Sequence, residues 1–465
     1  MKILMVAYDN GSCTSSFPQG LAYLASAARN AGYSVEVYQQ DIYHWTDEHL
    51  TNYLDENDYN VVVVSIIGGY YQYRKLLSIS DAVNKSKNRK NFKYLIGGHG
   101  PAASPEYFLR KTNADFVGIG EGEITIVELL NSVKFNTDYS KVDGIAYIDE
   151  DGKYILTNKR ELIKNIDEIA MPAYDLFDIN YYALLRLPNS DITARSMSVL
   201  SGRGCTFKCN FCYRMDKGFR SRSAKSIIEE VQFLKDKYNI NAINFSDELL
   251  MSSKARTMEL CQAFIDANLN VRWDCNGRLN YADIEVLEKM KEAGCVFINY
   301  GIESLDDLTL KMMHKALTEE IIIQGIENTL KVGISPGLNI IYGNINEPIS
   351  AINDAVEFLL KYDDHAQLRT IRPVTPYPGS ELFDIAVEKR LIKDVEDFYE
   401  NKHTNSDLLS VNFTRYTDEQ VHEALYRANM TLINRYIENT KDNMTKICKK
   451  LYMEKDASFR GFRQT

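Results

Sequence analysis

Cys205, Cys209 and Cys212 fall within eight residues, in the run Gly202-Arg203-Gly204-Cys205-Thr206-Phe207-Lys208-Cys209-Asn210-Phe211-Cys212-Tyr213, spaced C-x-x-x-C-x-x-C. Three thiolates on one short loop can hold three corners of an iron–sulfur cubane, which leaves the fourth iron open to a small chelating molecule. The competing chemistry is a closed zinc site or a set of buried thiols. Zinc wants a fourth Cys or His at close spacing, and Tyr213, Arg214 and Met215 supply none. The other five of the eight cysteines are scattered, too few for a disulfide scaffold. Cys261, Cys275 and Cys295 sit in helix or strand patterns and read as core thiols, while Cys13 and Cys448 stand alone, so one cluster is expected.

A second concentration of unusual residues lies in the N-terminal third. Ser15-Ser16-Phe17-Pro18-Gln19-Gly20, Gly68-Gly69-Tyr70-Tyr71, Gly97-Gly98-His99-Gly100-Pro101 and Gly120-Glu121-Gly122-Glu123 each follow a short apolar run. Glycine lets backbone approach a large flat ligand and adopt positive φ. One such loop says little, since Gly-rich strand-to-helix turns are common, but four in register point to a shared ligand site.

Elements that would position these loops are legible as alternating strand and helix patterns. Residues 2–7, 35–39, 61–66, 93–96 and 115–117 read as strands separated by amphipathic helices, the rhythm of an open, doubly wound parallel sheet (Rossmann-like). Ligands of such sheets bind outside the carboxyl ends of the strands. Residues 145–148 and 154–157, around Asp149-Glu150-Asp151-Gly152, read as a connecting hairpin, and 171–191 as a linker or flap. After the cysteines, strand patterns at 242–245, 271–275, 296–301, 337–342 and 367–371 recur about every thirty residues; with the strand ending at Ser201 they make six, a partial (β/α)6 TIM-type barrel. Ser226-Ile227-Ile228-Glu229 has the form of a capping box near the start of its first helix. The polar residues at the strand ends are Ser246-Asp247-Glu248, Asn276, Arg278, Gly301-Ile302-Glu303-Ser304 and the stretch from Gly337 to Gly343 with Tyr342. The fold class is α/β, divided as 1–135, 136–191, 192–395 and a mostly helical C-terminal region, 396–465, whose mixed-charge tail runs through Arg460 and Arg463.

The cysteine motif, with Phe211 just before its third cysteine, resembles the signature of the radical S-adenosylmethionine superfamily. The set P-x-G-L-x-Y-L, G-G-H-x-x-x-x-S-P-E and G-E-G-E, over roughly residues 1 to 135, resembles the corrinoid-binding domain ahead of many such cores. The resemblance implies a [4Fe–4S] cluster on Cys205, Cys209 and Cys212, S-adenosylmethionine and cobalamin. It places S-adenosylmethionine contacts on Phe211, Tyr213, Asp247, Arg278, Glu303 and Tyr342. The family's G-G-E is absent, which leaves Asp247 and Glu248 as alternatives for the methionine amine. Arg278 can fork a carboxylate, and Glu303 can accept from ribose hydroxyls or the amine. Cobalamin contacts fall on Phe17, Gly20, Ser65, Gly68, Gly69, Gly98, His99 and Glu121. The D-x-H-x-x-G of cobalamin mutases is not met by Asp47-Glu48-His49-Leu50-Thr51-Asn52, so His49 is read as a helix residue and not a cobalt ligand. The reaction implied is methylation of an unactivated carbon or phosphorus of a small-molecule substrate through a 5′-deoxyadenosyl radical and methylcobalamin. Oxidative cyclisation or rearrangement is the alternative, and a non-turnover corrinoid or redox sensor the reading from another class. Such enzymes draw on an external one-electron reductant such as flavodoxin or ferredoxin.

Bulk composition agrees with a globular enzyme of several domains: 45% apolar and 25% charged residues over 465 positions. A net charge of −10 supplies no basic field for nucleic acid. Apolar stretches such as 61–67 are too short to cross a bilayer, and Met1-Lys2-Ile3-Leu4 runs straight into a strand pattern, so a cytoplasmic location without membrane insertion is expected.

Overall fold

The computed structural model describes residues 1–186, 188, 190–191, 193–215 and 218–458; the tail with Arg460 and Arg463 lies outside them. Strands β1 (Lys2–Ala7), β2 (Ser34–Gln39), β3 (Val61–Ser65), β4 (Lys93–Gly97), β5 (Phe116–Gly118), β6 (Ile145–Ile148) and β7 (Tyr154–Leu156) form one sheet in the order β2-β1-β3-β4-β5-β6-β7. The first five are parallel. Their near-continuous Val and Ile runs are buried on both faces: Ile3, Met5, Val61 and Val63 enter one core, Leu4, Val6, Val62 and Val64 the other. The hairpin read as a connector is part of this sheet, because β6 adds antiparallel to β5 and β7 to β6.

The second sheet contains β8 (Ser196–Val199), β11 (Ala242–Phe245), β12 (Arg272–Gly277), β13 (Cys295–Glu303), β14 (Ser335–Tyr342) and β15 (Ile371–Pro373), all parallel in the order β15-β14-β13-β12-β11-β8. Between β8 and β11 a two-stranded antiparallel ribbon, β9 (Gly202–Cys205) and β10 (Gly218–Ser221), brackets the cysteine loop. The helix that follows starts at Ala224, capped by the Ser223 hydroxyl on Ser226 N, so the capping box read at 226–229 gives way to a cap one residue before the helix.

Residues 166–185 bridge the two sheets. Tyr174, Phe177 and Tyr182 are buried and pack their rings on Phe17 at centroid distances of 5.3, 5.2 and 5.5 Å. This segment is a wall of core, not a flap. At the far end, Phe398 and Tyr399 return to pack against the first sheet's second core, beside Tyr73 and Phe108. The helix Asp418–Tyr452, capped by Thr417 and Gln420, docks Val421, Leu425, Ala428 and Leu432 against the helix Ser350–Tyr362 and β15. Among the described residues no helix is long and apolar enough to cross a membrane.

Candidate functional site

A cavity of about 360 Å³ lies where the carboxyl ends of the two sheets face each other. One wall carries Gly20, Ser65, Gly98, His99, Gly120 and Glu121; the other carries Leu200, Arg203, Met215, Ser246, Asp247 and Glu248. Five of the residues expected at the corrinoid thus share one space, together with Asp247. Gly98 holds φ +92°, and a Cβ there would come 2.3 Å from Ile66 O, so only glycine lets this loop close over β3. At Gly20 and Gly120 a Cβ would meet nothing within 4 Å. These glycines leave room in the cavity instead of filling it, which suits a bulky planar ligand.

The structure places the remaining expected corrinoid residues elsewhere. Phe17 is consumed by the aromatic bridge described above. Gly68 packs backbone to backbone on Gly100 and near the Tyr399 hydroxyl, and Gly69 is the N-cap of the helix Tyr70–Lys85. Their glycines serve packing and a helix start. His49 lies in the helix Asp47–Glu56, with Nδ1 2.7 Å from the Tyr38 hydroxyl and its ring stacked on Trp45. Glu121 lines the cavity, but both its oxygens are engaged: Arg203 and Arg220 donate at 2.9 Å and Ile163 N at 2.8 Å. Burial pushes its carboxyl up, yet the donors from Arg220, Ile163 and Arg203 prevail and hold it below the ordinary range. Arg203 also pairs Glu123 at 2.5 Å. Glu121 therefore ties the first sheet's loop to both strands of the ribbon that carries the cysteines.

That ribbon fixes the base of the cysteine loop. Cys205 pairs with Gly218, and Gly204 at φ +84° would clash with Gly218 O at 2.3 Å if it bore a Cβ. Farther along, Asn210 N and Nδ2 donate to Met313 O and Met312 O, and Asn210 O accepts from Leu382 N. Burial raises the Cys205 thiol and takes Cys212 up to about 12; Cys205 also feels Cys209, and Cys212 feels Cys209 and Cys205. Among the described residues no three His, Cys, Asp or Glu side chains converge on a single metal ion. A cubane asks otherwise: each thiolate holds a different iron, so three cysteines close enough to feel one another on one loop are the fitting donor set.

Charged groups surround the loop. Arg278 lays its guanidinium 3.5 Å over the Phe207 ring and donates to Asn280 Oδ1 and Lys315 O. Glu303 holds φ +70° at a bulge against β14, which turns its carboxylate onto Lys315 Nζ at 2.8 Å. Gly301 makes this pair possible, since a Cβ there would sit 2.3 Å from Glu303 Oε1. Both Glu303 and Lys315 are within electrostatic reach of Cys212, and Arg278 of Cys205. Lys315 was not singled out from sequence; it follows a helix, and only the fold brings it under Glu303.

Asp247 is fully buried, with its two oxygens taken by Ser201 N and Ser201 Oγ, and burial lifts its carboxyl to about 6. Arg256 closes the arrangement on Ser201 O at 2.6 Å. The carboxylate that stands exposed in the cavity, within reach of Cys205, is Glu248. Phe211 packs against the first sheet's second core and under Lys315, whereas Tyr213 lies edge-on to His99 at 6.1 Å and against Gly379. Tyr342 is buried with Leu338 and Ile340 on the helix-facing side of β14. Strand alternation explains it: Gly337, Asn339 and Ile341 hold the opposite face. There Asn339 donates to Asn299 Oδ1, Asn299 to Asn276 Oδ1 and Asn276 to Asp247 O, an amide chain leading to the cavity.

The chain is similar in sequence and fold to known proteins. Residues 14–130 match the family model for the B12 binding domain, and residues 199–359 match that for the radical SAM superfamily. The chain is 28% identical over 440 residues to an uncharacterized methyltransferase of Pyrococcus horikoshii, covering 92% of this chain and 91% of that one. It is 25% identical over 399 residues to the anaerobic magnesium-protoporphyrin IX monomethyl ester cyclase of Rubrivivax gelatinosus, covering 82% and 68%. Its fold superposes with a TM-score of 0.71 and 16% identity on the radical S-adenosylmethionine methyltransferase TsrM of Kitasatospora setae, solved with cobalamin and a [4Fe–4S] cluster, covering 93% and 88%.

Proposed function

Starting from a chain that is a cobalamin-dependent radical S-adenosylmethionine enzyme, with a [4Fe–4S] cluster, S-adenosylmethionine and cobalamin as cofactors, we propose that it methylates an unactivated carbon or phosphorus centre of a small molecule. When bound, the cluster and S-adenosylmethionine supply a 5′-deoxyadenosyl radical, and the corrinoid supplies the methyl group. The observation that carries this reading is the single cavity with corrinoid-side glycines on one wall and Glu248, beside Cys205, on the other. A substrate held there stands between radical source and methyl donor, so proximity does much of the work.

Within this reading the residues divide the labour. Cys205, Cys209 and Cys212 hold the cluster. Glu248 takes the methionine amine, because Asp247 is committed to Ser201 and acts by fixing the end of β8. Arg278 spends Nε and Nη2 on Asn280 and Lys315, leaving Nη1 for the methionine carboxylate. Glu303, aimed by its left-handed backbone and neutralised by Lys315, accepts from ribose hydroxyls. Gly20, Ser65, Gly98, His99 and Gly120 cradle the corrinoid, whose domain we extend through β7 since that hairpin completes its sheet. An external one-electron reductant such as flavodoxin or ferredoxin primes the cluster.

The test is a product balance. With the correct substrate, each methylated product should appear with one 5′-deoxyadenosine and one S-adenosylhomocysteine, and label on the methyl group of S-adenosylmethionine should enter product. Unlabelled product without S-adenosylhomocysteine would remove methyl transfer. Oxidative cyclisation, favoured by the likeness to the ester cyclase, would then take its place.

A further inference from the structure

A second cavity, of about 280 Å³, backs onto the corrinoid one. Gln19 stands between them: its Nε2 donates to Ser198 O at 3.4 Å on the second cavity's side, and its Oε1 accepts from Ser246 Oγ at 2.8 Å on the first's. Three adjacent barrel strands each bring one polar residue to the second cavity at a single level. Ser198 of β8 pairs in register with Asn244 of β11, and Asn244 with Asp274 of β12. A closed barrel fills such a level with branched apolar side chains. Here it holds a hydroxyl, an amide and a carboxylate, and the proposed division of labour uses none of them.

Their hydrogen bonds are incomplete. Asn244 Nδ2 donates to Asp274 Oδ1 at 2.5 Å, which turns the amide oxygen away. Among the described residues the Asp274 carboxylate has no other partner, and the Asn244 oxygen and the Ser198 hydroxyl have none. Three oxygens are left over, one from each strand. Asp274 is only 3% exposed, and burial lifts its carboxyl to about 6, which leaves it an anion at neutral pH. A buried carboxylate without a cation is costly. Arg186 lines the same cavity but is exposed and makes no ion pair with Asp274. Among the described residues no three His, Cys, Asp or Glu side chains converge on a metal ion here either. A primary ammonium supplies what is missing: one positive charge and three N–H donors for three oxygens. Phe17, Tyr182 and Leu185 also line the cavity, giving a carbon skeleton apolar cover and, from the rings, faces that attract a cation.

We propose that this cavity binds the primary ammonium group of a small organic molecule, with Asp274 as counter-ion and the Asn244 and Ser198 oxygens completing its hydrogen bonds. That the molecule is the substrate rests on the proposed methylation, since only Gln19 separates its anchor from the corrinoid cavity. Its binding does not, because no turnover is needed to see it.

The probe is 2-phenylethylammonium, titrated calorimetrically against the full chain loaded with cluster and corrinoid, beside 2-phenylethanol and 3-phenylpropionate as neutral and anionic counterparts of similar size. The ammonium should bind at least about tenfold more tightly than either. Asp274→Asn keeps the side chain's size and should remove that preference, with iron and corrinoid content unchanged as the check on folding. Should that variant lose its iron, Ser198→Ala decides: it should weaken the ammonium by about two- to tenfold and leave 3-phenylpropionate unchanged. An ammonium that does not bind, or binds no more tightly than the alcohol, would overturn the proposal. So would tighter binding of 3-phenylpropionate, which would hand the cavity to Arg186, or a preference that survives Asp274→Asn. A failed methyl balance with the ammonium preference intact would remove the reaction and leave this site standing.

Discussion

The two walls of the central cavity are built on opposite principles. The first sheet contributes absence: glycines at 20, 98 and 120 whose missing side chains leave space or let backbone close up. The second, together with the cysteine loop beside it, contributes charged groups each held by a partner: Asp247 on Ser201 at the cavity, and Glu303 on Lys315 and Arg278 over Phe207 around the loop, all buried. A wall of glycines recognises by shape and tolerates little added volume. A wall of paired charges tolerates volume poorly too, but its distinctive weakness is the loss of one partner, which leaves the other uncompensated in a low-dielectric place.

The sharpest way to break this comparison is at the cysteines. Cys205→Ala, Cys209→Ala or Cys212→Ala should each abolish the cluster and 5′-deoxyadenosine formation, while Cys261→Ala or Cys448→Ala keeps iron; full iron in any triad variant would sink the assignment. Next comes the glycine wall. Gly20 has no positive φ and faces open space, so Gly20→Phe should fold, keep its iron and weaken corrinoid retention on gel filtration by at least about tenfold. Retention at the level of the unaltered protein would place the corrinoid elsewhere.

The charged wall should respond differently. Lys315→Met strands the Glu303 carboxylate and should cost about 3–5 kcal/mol in denaturant unfolding, whereas Lys315→Met with Glu303→Leu should recover much of it. Equal losses in both would mean that packing, not charge, is at stake. The smallest effect concerns Glu121, whose carboxyl is held below its ordinary value of 4.5 in the folded state. Such a group adds stability above its unfolded value and loses it as pH falls through the lower folded one. The stability gap between the unaltered protein and Glu121→Gln should therefore be flat above about pH 5 and shrink in more acidic solution. A gap that widens on acidification would reverse the sign assigned to the Arg203 and Arg220 donors.

The glycine wall and the parallel strands were largely legible in the sequence, because both are local signals. Val61-Val62-Val63-Val64 cannot be an exposed strand, and Gly97-Gly98 after an apolar run announces a tight turn. The charged wall was legible only by half. Asp247, Arg278 and Glu303 stand at strand ends where sequence reading looks for them, but Ser201 and Lys315 meet them across 12 to 46 positions of chain, and Arg256 reaches Ser201 across 55. The pairing of β6 with β5 is non-local in the same way. Tyr342 is different: counting by twos from Asn339 would have turned it to the helices. Phe17, Gly68 and Gly69 drew attention by residue type, and residue type does not separate a ligand contact from a core ring or a helix start.

The brace from Glu121 to Arg203 and Arg220 spans the boundary between a loop shaped for one cofactor and a ribbon that presents the other. Ordering of the loop is thereby ordering of the ribbon, and the exchange is symmetric. Whatever free energy an occupied corrinoid cradle lends to the cysteine loop, an assembled cluster returns to the cradle in equal measure, because coupling between two binding equilibria is reciprocal. On that account, if the cradle's occupation eases cluster binding, the cluster eases occupation of the cradle by the same factor.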